Sequence, residues 1–364
     1  MPLTQKSKNI VCAFLNGLYI PRHNARYLTW GVSAVKNRQN DEKRYVRHLG
    51  DLEAYWRMRR WECPFCHRTY KFEELEPLSM NKCGKCSREF YVPRKIGDYF
   101  LVATCGEGGM GSVYEAVSRR FPHQKLAVKL LSRRARENPP NIRAILNEAE
   151  VSSHFQASEF IASSLDSGYL EDEFFIVMPL VEGEGLDKRI ERLGKLSPQE
   201  VLALTKHVLA AEQHIYSKGY LFRDMKPENI IVNKYGYAIL LDFGLCIPLE
   251  KARCPDEEFI SGSPYYIPPE RLLGNPEDAN SEIYSIGMVM YHALTGSTIY
   301  DADELEALAR RHVATLRVKN ASKMTGIPDG IAKLLEAMIK VSPQERPQTF
   351  KEVYDAICQI ETTL

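Results

Sequence analysis

The sequence of 364 residues predicts an α+β fold in two lobes, the first rich in strands and the second helical, preceded by a small cysteine-containing module. Three observations support this prediction. Runs typical of strands occupy the first half of the chain, at 99–104, 112–118, 125–131 and 174–181. Helical periodicity dominates the second half, at 198–217, 281–294 and 329–340. Two Cys-x-x-Cys pairs precede both regions.

The domain boundaries follow the changes in composition along the chain. Residues 1–60 are basic and aromatic, and we assign them no fold, although 41–60 suits a helix because Gly50 is its main breaker. The cysteines lie in a module over 61–92, and Val92-Pro93-Arg94-Lys95 has the composition of a short hinge. The region of strands followed by helices, called the two-lobed region below, is predicted to span 96–361.

The composition is that of a globular protein. Hydrophobic residues make up 44% and charged residues 26%, which excludes a disordered or collagen-like chain. We expect no membrane span because no run of about 18 apolar residues occurs. The apolar stretch 10–20 is interrupted by Asn16 and Gly17 and is predicted to be folded structure and not a signal peptide. A cytoplasmic location is therefore expected.

The near-zero net charge of +1 hides an asymmetry. Residues 1–95 carry 19 basic and 9 acidic side chains, whereas residues 96–364 carry 29 and 38. A basic N-terminal segment can bind phosphate groups, an anionic surface or the acidic remainder of its own chain. An ordinary solvated basic face explains the asymmetry equally well.

The cysteine quartet has the spacing of a structural zinc site. Cys63-Pro-Phe-Cys66 and Cys83-Gly-Lys-Cys86 are separated by sixteen residues. Four thiolates complete a tetrahedron and leave no position for water, so we expect Zn²⁺ with a structural role. The segment resembles a zinc ribbon, a fold that serves both protein and nucleic-acid contacts, and the resemblance does not choose between them.

A glycine-rich segment begins the two-lobed region. Gly106, Gly108, Gly111 and Val113 form the pattern Gly-x-Gly-x-x-Gly-x-Val, in which backbone N–H groups can approach phosphates. A dinucleotide-binding fold would continue with a helix, but the residues after Gly111 are strand-like. The next apolar strand contains Lys129, whose ammonium needs an anionic partner there.

A helix predicted to follow Pro139-Pro140 provides candidates for that partner. Asn141 can cap the helix, and Ile142, Ile145, Leu146 and Ala149 form its apolar face. Glu148 and Glu150 flank this face on opposite sides, and periodicity alone does not decide between them.

Later motifs resemble those of a eukaryotic-like Ser/Thr protein kinase of the bacterial type. Phe222-Arg-Asp-Met-Lys-Pro-Glu-Asn229 is similar to the family's catalytic loop, and Asp242-Phe243-Gly244 is similar to its metal-binding motif. Pro268-Pro269-Glu270 matches the end of the activation segment, and Arg346 stands where the family has the arginine that pairs with that glutamate. The resemblance covers about 96–360 and implies the bilobal protein kinase fold, with a β-rich N-lobe over about 96–181 and a helical C-lobe over about 182–361.

The resemblance also implies roles for particular residues. Asp224 would take the acceptor's proton, and Lys226 would balance charge on the transferring phosphoryl group. Asn229 and Asp242 would hold Mg²⁺, while Lys129, paired with Glu148 in the family's register, would position the phosphates of ATP. The implied ATP contacts are Gly106, Glu107, Gly108, Gly109, Met110, Gly111, Val113, Ala127, Lys129, Met178, Pro179, Val181, Asn229 and Asp242.

Two departures from the family pattern bear on the catalytic loop. Phe222 replaces the usual His or Tyr under the metal motif, and its ring can fill that place. Glu282 replaces the aspartate that anchors the loop backbone. Arg223 implies that an anion neutralises it. Because Ser261 is the only other hydroxyl residue between Gly244 and Ser263, we expect the fixed acids Asp256-Glu257-Glu258 to stand in for a phosphate and to make activity constitutive.

The sequence thus predicts a protein serine/threonine kinase that uses ATP, Mg²⁺ and Zn²⁺, with a zinc-ribbon module for recruitment or regulation. Its partners would be protein substrates with Ser or Thr acceptors, the chain itself among them. One alternative is a nucleotide-binding pseudokinase scaffold. Another is a nucleic-acid-binding protein regulated by its kinase domain, in which residues 1–95 would bind DNA or RNA with salt-dependent affinity.

Overall fold

The computed structural model describes residues 49–107, 111–254, 262–300, 312 and 327–363. These residues divide into two compact units. The first unit contains described residues of 49–153 and 162–182, and the second contains those of 154–161 and 183–363. Within the described ranges, no helix combines the length and the apolar character needed to cross a membrane.

The first unit begins with the cysteine module. Its helix, α1, spans Leu49–Met58, inside the predicted 41–60, of which 41–48 lie outside the described residues. Two antiparallel hairpins follow; their strands are β1 (Arg60–Glu62) with β2 (Thr69–Lys71), and β3 (Met80–Lys82) with β4 (Glu89–Tyr91). A 3₁₀ turn at Phe72–Glu74 joins them.

A six-stranded antiparallel sheet completes the first unit, in the order β5-β6-β7-β8-β10-β9. Its strands are β5 (Arg94–Ile96), β6 (Tyr99–Glu107), β7 (Gly111–Val117), β8 (Leu126–Leu131), β9 (Asp166–Leu170) and β10 (Glu173–Pro179). The four predicted strands are thereby confirmed, with ends shifted by a few residues. Leu101, Val128 and Val177 are fully buried on one face of this sheet, so a single hydrophobic core holds its strands together.

Two helices, α2 (Arg133–Arg136) and α3 (Pro139–Ser153), follow β8. The predicted cap at Asn141 is wrong, because the helix already begins at Pro139, whose fixed φ suits a first helical turn. Asn141 instead donates from Nδ2 to the carbonyl of Ala135 at 3.1 Å. Leu146, predicted to be core, is 49% exposed, whereas Val151 is buried.

The second unit is mainly helical. Its helices are α4 (Leu186–Leu193), α5 (Pro198–Ser217), α6 (Leu249–Arg253), α7 (Pro269–Leu272), α8 (Ala279–Thr295), α9 (Asp329–Met338) and α10 (Phe350–Glu361). The predicted helices at 198–217, 281–294 and 329–340 are confirmed as α5, α8 and α9. The hydroxyl of Ser197 caps α5 by accepting from the backbone N–H of Glu200, and Gly296 ends α8 in a left-handed conformation.

Short strands frame the loops of the second unit. A three-stranded sheet is formed by β11 (Gly183–Gly185), β13 (Ile230–Asn233) and β14 (Ala238–Leu240), and a two-stranded sheet by β12 (Tyr220–Leu221) and β15 (Ile247–Pro248). The loop 222–229 lies between β12 and β13, and the loop 241–246 lies between β14 and β15. Both candidate catalytic segments are therefore held at each end by strand pairing.

The segment 154–161 packs in the second unit, although the predicted boundary near 181 leaves it in the first lobe. The ring of Phe155 lies 5.5 Å from that of Phe243, and the carbonyl of Phe160 accepts from the backbone N–H of Leu240 at 2.8 Å. Aromatic packing and a parallel bridge between Ile161 and Leu240 attach this segment there.

Candidate active site

The first unit pairs Lys129 with Glu148. Lys129 lies in β8, and its Nζ is 2.8 and 2.6 Å from the two carboxylate oxygens of Glu148 in α3. Both side chains are largely buried, which makes the pair a charge-assisted interaction in a poorly solvated setting. Glu150, the other candidate partner, is exposed. The tertiary fold thus decides between the two glutamates.

The glycine-rich segment joins β6 and β7. Gly106 lies opposite Val113 in this hairpin. Gly108, Gly109, Met110 and the side chain of Glu107 lie outside the described residues. A Cβ on Gly111 would lie 1.9 Å from the carbonyl oxygen of Leu130, so close strand approach already requires glycine there.

The remaining predicted ATP contacts of the first unit lie on or just after neighbouring strands. Met178 in β10 is opposite Ala127 in β8, and Pro179 is opposite Leu126. The backbone N–H of Leu180 donates to the carbonyl of Lys125 at 2.9 Å, which holds the chain just before Val181.

The second unit brings three predicted catalytic residues into one hydrogen-bonded group. Lys226 Nζ donates to Asp224 Oδ2 at 2.7 Å, and Asn229 Nδ2 donates to the same oxygen at 2.8 Å and to the Asp224 carbonyl at 2.9 Å. Burial opposes the charge on Lys226, but Asp224 and Asp242 raise its pKa. Within the described part of the chain, Asp224 Oδ1 is buried and has no hydrogen-bond partner.

Asp242 follows β14 with a positive φ of 61°, and Arg223, just before Asp224, has a φ of 68°. Non-glycine residues rarely adopt this conformation, and it is concentrated at functional sites. Phe243 is buried, and its ring lies 5.4 Å from that of Phe222 in an edge-on contact. The ring of Phe222 therefore packs against the metal motif, in the position where the family usually has His or Tyr.

Glu282 of α8 reaches the catalytic loop in spite of its extra methylene. Its Oε1 accepts from the backbone N–H of Arg223 at 3.0 Å. The side chain is fully buried, and burial raises its pKa to about 7, against the opposing effect of Arg271. The loop anchor expected from the family pattern is present with glutamate in place of aspartate.

One residue that the sequence analysis did not single out also contacts this loop. Glu277, in the turn before α8, lies with Oε1 2.9 Å from Nη2 of Arg223. No motif marks Glu277, because the two residues are far apart in sequence and meet only in the folded chain. Ser261 and Asp256-Glu257-Glu258, the expected sources of a counterion, lie outside the described residues.

Glu270 and Arg346 form the predicted buried pair. Arg346 Nη1 and Nη2 donate to the two carboxylate oxygens of Glu270, each at 2.8 Å. The remaining guanidinium donors bind the carbonyls of Asn280, Lys340 and Val341. This geometry ties α7, the end of the activation segment, to the turn before α10.

The four module cysteines converge on one point. The Sγ atoms of Cys63 and Cys86 are 3.8 Å apart, those of Cys66 and Cys83 are 3.6 Å apart, and all four lie within 4.8 Å of one another. These separations are too long for disulfides and match the sulfur spacing of about 3.8 Å in a tetrahedron with Zn–S bonds of about 2.3 Å.

The two cysteine turns have the same local geometry. His67 and Ser87 occupy equivalent positions with φ near 60° and donate backbone N–H groups to the carbonyls of Cys63 and Cys83. The hydroxyl of Tyr70 donates to the sulfur of Cys83 at 3.1 Å. The four thiols, and the hydrogen bonds that hold the two turns and the Cys83 sulfur in place, therefore fit a structural zinc ion.

Comparisons with known proteins agree with this geometry over the two-lobed region. The family described as "Protein kinase domain" matches residues 99–357. A probable serine/threonine-protein kinase of Clostridium perfringens is 29% identical over 255 residues, which are 70% of this chain and 37% of that protein. The serine/threonine-protein kinase PknD of Mycobacterium tuberculosis is 28% identical over 256 residues, again 70% of this chain and 38% of that protein.

A serine/threonine-protein kinase PknD of Protochlamydia amoebophila is 28% identical over 334 residues and extends the match to 80% of this chain and 33% of its own length. The chain thus spans less than two fifths of these curated relatives. The family match covers most of the chain and includes every catalytic motif described above. The chain belongs to the protein kinase domain family.

Proposed function

We propose that this chain is an ATP-dependent serine/threonine protein kinase that transfers the γ-phosphate to hydroxyl groups of proteins. The observation that carries the proposal is the group formed by Asp224, Lys226 and Asn229, in which two donors hold one carboxylate oxygen and the other, buried, oxygen has no hydrogen-bond partner among the described residues. Phosphoryl transfer depends mainly on positioning and charge neutralisation, which such a group supplies.

Asp224 would act on the acceptor hydroxyl. Lys226 and Asn229 hold Oδ2, so Oδ1 would accept the hydroxyl proton as the hydroxyl oxygen attacks the γ-phosphorus. The bond from that phosphorus to the β-phosphate oxygen would break at the same time and release ADP. The raised pKa of Lys226 keeps its ammonium charged beside the transferring group. A lysine two residues after the catalytic aspartate is the pattern of Ser/Thr kinases, which supports Ser and Thr over Tyr as acceptors.

Asn229 and Asp242 would hold Mg²⁺, which neutralises negative charge on the phosphates of ATP. Both supply oxygen ligands of the type that Mg²⁺ prefers. Lys129 would bind the α- and β-phosphates, and Glu148 fixes its ammonium in place through two short hydrogen bonds. Glycines at 106, 108, 109 and 111 would leave room for phosphate contacts with backbone N–H groups.

The test is transfer of labelled γ-phosphate from ATP to a generic Ser/Thr substrate by the full chain in Mg²⁺. Asp224→Asn keeps the shape of the side chain but removes the base, and should lower the rate by a factor of about 10² or more. The matched control is Asp355→Asn, an exposed residue of α10, which should leave the rate unchanged. ATP binding without transfer by the wild type would favour the pseudokinase alternative.

We also propose that Cys63, Cys66, Cys83 and Cys86 bind one structural Zn²⁺ in a zinc-ribbon-like module over 61–92. Their sulfur separations and the paired turns support this proposal. Elemental analysis of the purified chain should give about one zinc per molecule. Cys83→Ser should lose the metal, whereas Cys254→Ser, at an exposed cysteine elsewhere, should keep it.

A further inference from the structure

A buried charge network surrounds the arginine that precedes the catalytic aspartate. The Arg223 side chain is only 12% exposed, and Glu277, its ion-pair partner at 2.9 Å, is 3% exposed. A buried guanidinium without a counterion is strongly destabilising, and so is a buried carboxylate without one. Each of these two side chains therefore depends on the other or on a further charge nearby.

Arg271 extends the network from α7. Its Nε donates to Oε2 of Glu277 at 2.7 Å, and its Nη1 donates to the carbonyl of Arg223 at 2.6 Å. Glu277 thus accepts from two arginines with separate oxygens. Arg271 itself is bound to the backbone of the catalytic loop.

Two further carboxylates face the network from neighbouring helices. Glu282 of α8 binds the backbone N–H of Arg223 and lies 3.6 Å from Nη2 of Arg271. Glu212 of α5 is fully buried beside Glu282, and burial raises its pKa well above the ordinary value. Among the described residues, Glu277 forms the ion pair with the Arg223 guanidinium, while Glu282 accepts from the Arg223 backbone N–H.

In protein kinases, phosphorylation of the activation loop creates a new arginine–phosphate pair that orders the loop. Here a carboxylate already occupies an ion-pairing position on Arg223. A phosphoryl group approaching the same guanidinium would meet the negative charge of Glu277 and would have to compete for a side chain that is nearly closed to solvent.

We infer that Glu277 is a built-in counterion for Arg223, so that the catalytic loop is held in its working arrangement without phosphorylation of the activation segment. This inference rests on the proposed kinase function. Glu277 is a positioning residue, because it would act on Asp224 through its contact with Arg223. Glu277 is a different counterion from those considered from the sequence, which were phosphorylated Ser261 and the acids Asp256-Glu257-Glu258.

The first experiment compares two forms of the full chain. One is phosphate-free, after phosphatase treatment verified by mass spectrometry, and the other carries phosphoserine installed at Ser261, the one hydroxyl residue between 245 and 262. The inference predicts kcat values within about threefold of each other. A phosphate-free form at least tenfold slower than the phosphoserine form would overturn the inference and leave the kinase function standing. Transfer by neither form would reject the kinase function, and the inference with it.

The second experiment tests whether Glu277 affects catalysis through Arg223. Glu277→Gln preserves shape and removes the charge, and should lower kcat of the phosphate-free enzyme at least tenfold with KM for ATP within twofold. Glu277→Asp should recover part of the loss.

The double variant Arg223→Ala/Glu277→Gln separates this role from a merely structural one. Removing Arg223 removes the charge that needs neutralising, so the added effect of Glu277→Gln should shrink to less than threefold in the Arg223→Ala background. A loss of the same size in both backgrounds would show that Glu277 acts only through Arg271 and the fold, and would overturn the inference. If Glu277→Gln does not fold, the comparison of the phosphate-free and phosphoserine forms still tests whether the enzyme needs phosphorylation of the activation segment.

Discussion

The indole of Trp56 stands edge-on against the ring of Phe100, with centroids 6.3 Å apart and an interplanar angle of 86°. Trp56 belongs to α1, before the cysteine turns, and Phe100 belongs to β6, the second strand of the sheet that carries the glycine-rich segment. Trp61, Phe90 and Val92 of the module share one hydrophobic cluster with Phe100. The module and the sheet therefore share a packed core at Phe100, which is distinct from the cluster around Leu101, Val128 and Val177.

Trp56→Ala should destabilise this shared core by about 2 kcal/mol, because the indole is half-buried and contacts both Phe72 and Phe100. Urea unfolding of the full chain measures the change. Met58→Ala, at an exposed position of the same helix, serves as the control and should change stability by less than about 0.5 kcal/mol. Equal effects of the two substitutions would argue against the shared core.

Removal of zinc should lower the thermal stability of the same region. Cys63 and Cys83 are buried in this cluster, and the proposed metal links them to Cys66 and Cys86, so its loss removes the bonds that join the two hairpins. A zinc chelator should lower Tm on the order of 5 °C, measured by calorimetry with excess Mg²⁺ restored. An unchanged Tm after complete metal loss, verified by elemental analysis, would contradict a structural role for the metal.

Arg346→Lys should destabilise the second unit by about 3 kcal/mol. Arg346 uses all five guanidinium donors, two on Glu270 and three on backbone carbonyls, and lysine offers a single point charge. Chemical denaturation checks the value. Arg192→Lys, at an exposed pair with Glu184, is the matched substitution and should cost less than about 1 kcal/mol. Similar losses at the two sites would refute this account of Arg346.

Glu282 should make stability depend on pH. Burial raises its folded pKa to about 7 from the ordinary 4.5, so between these values the folded chain holds a proton that the unfolded chain has lost. The free energy of unfolding contributed by this group therefore falls as pH rises through that window, on the order of 1 kcal/mol per pH unit.

Glu282→Gln cannot titrate. The stability of wild type relative to this variant should decline from about pH 5 to pH 7 and level off above about pH 8. Urea unfolding at several pH values gives the difference, and Glu250→Gln at an exposed position provides the control for general charge effects. If the stability difference between wild type and Glu282→Gln does not change with pH across this range, then titration of Glu282 does not cause the pH dependence.

Local sequence patterns were sufficient to predict some elements of the fold but not all of their boundaries. Strands such as Leu126–Leu131 and helices such as Pro198–Ser217 were predictable, because their apolar periodicity and their caps are contained in neighbouring residues. The start of α3 was not, because Asn141 and Pro139 both carry helix-start signals and only the packed structure distinguishes them.

The residues proposed for catalysis also fall into two groups, those predictable from local motifs and those identified only from the fold. Asp224, Lys226, Asn229 and Asp242 were predictable because they lie in contiguous motifs. Glu148 and Glu150 flank the same helix face, and the choice between them required the position of α3 relative to β8. Glu277 had no local signal at all, since its partner Arg223 is brought to it only by folding.

The sequence by itself determined the order of strands and helices, the catalytic motifs and the cysteine spacing, because each of these is a property of residues close together along the chain. Only the tertiary structure decided which carboxylate neutralises Lys129, that Glu282 still reaches the loop backbone, and that Glu277 meets Arg223. The physical reason is that burial forces distant charges to pair, and the choice of partner depends on how helices and strands pack.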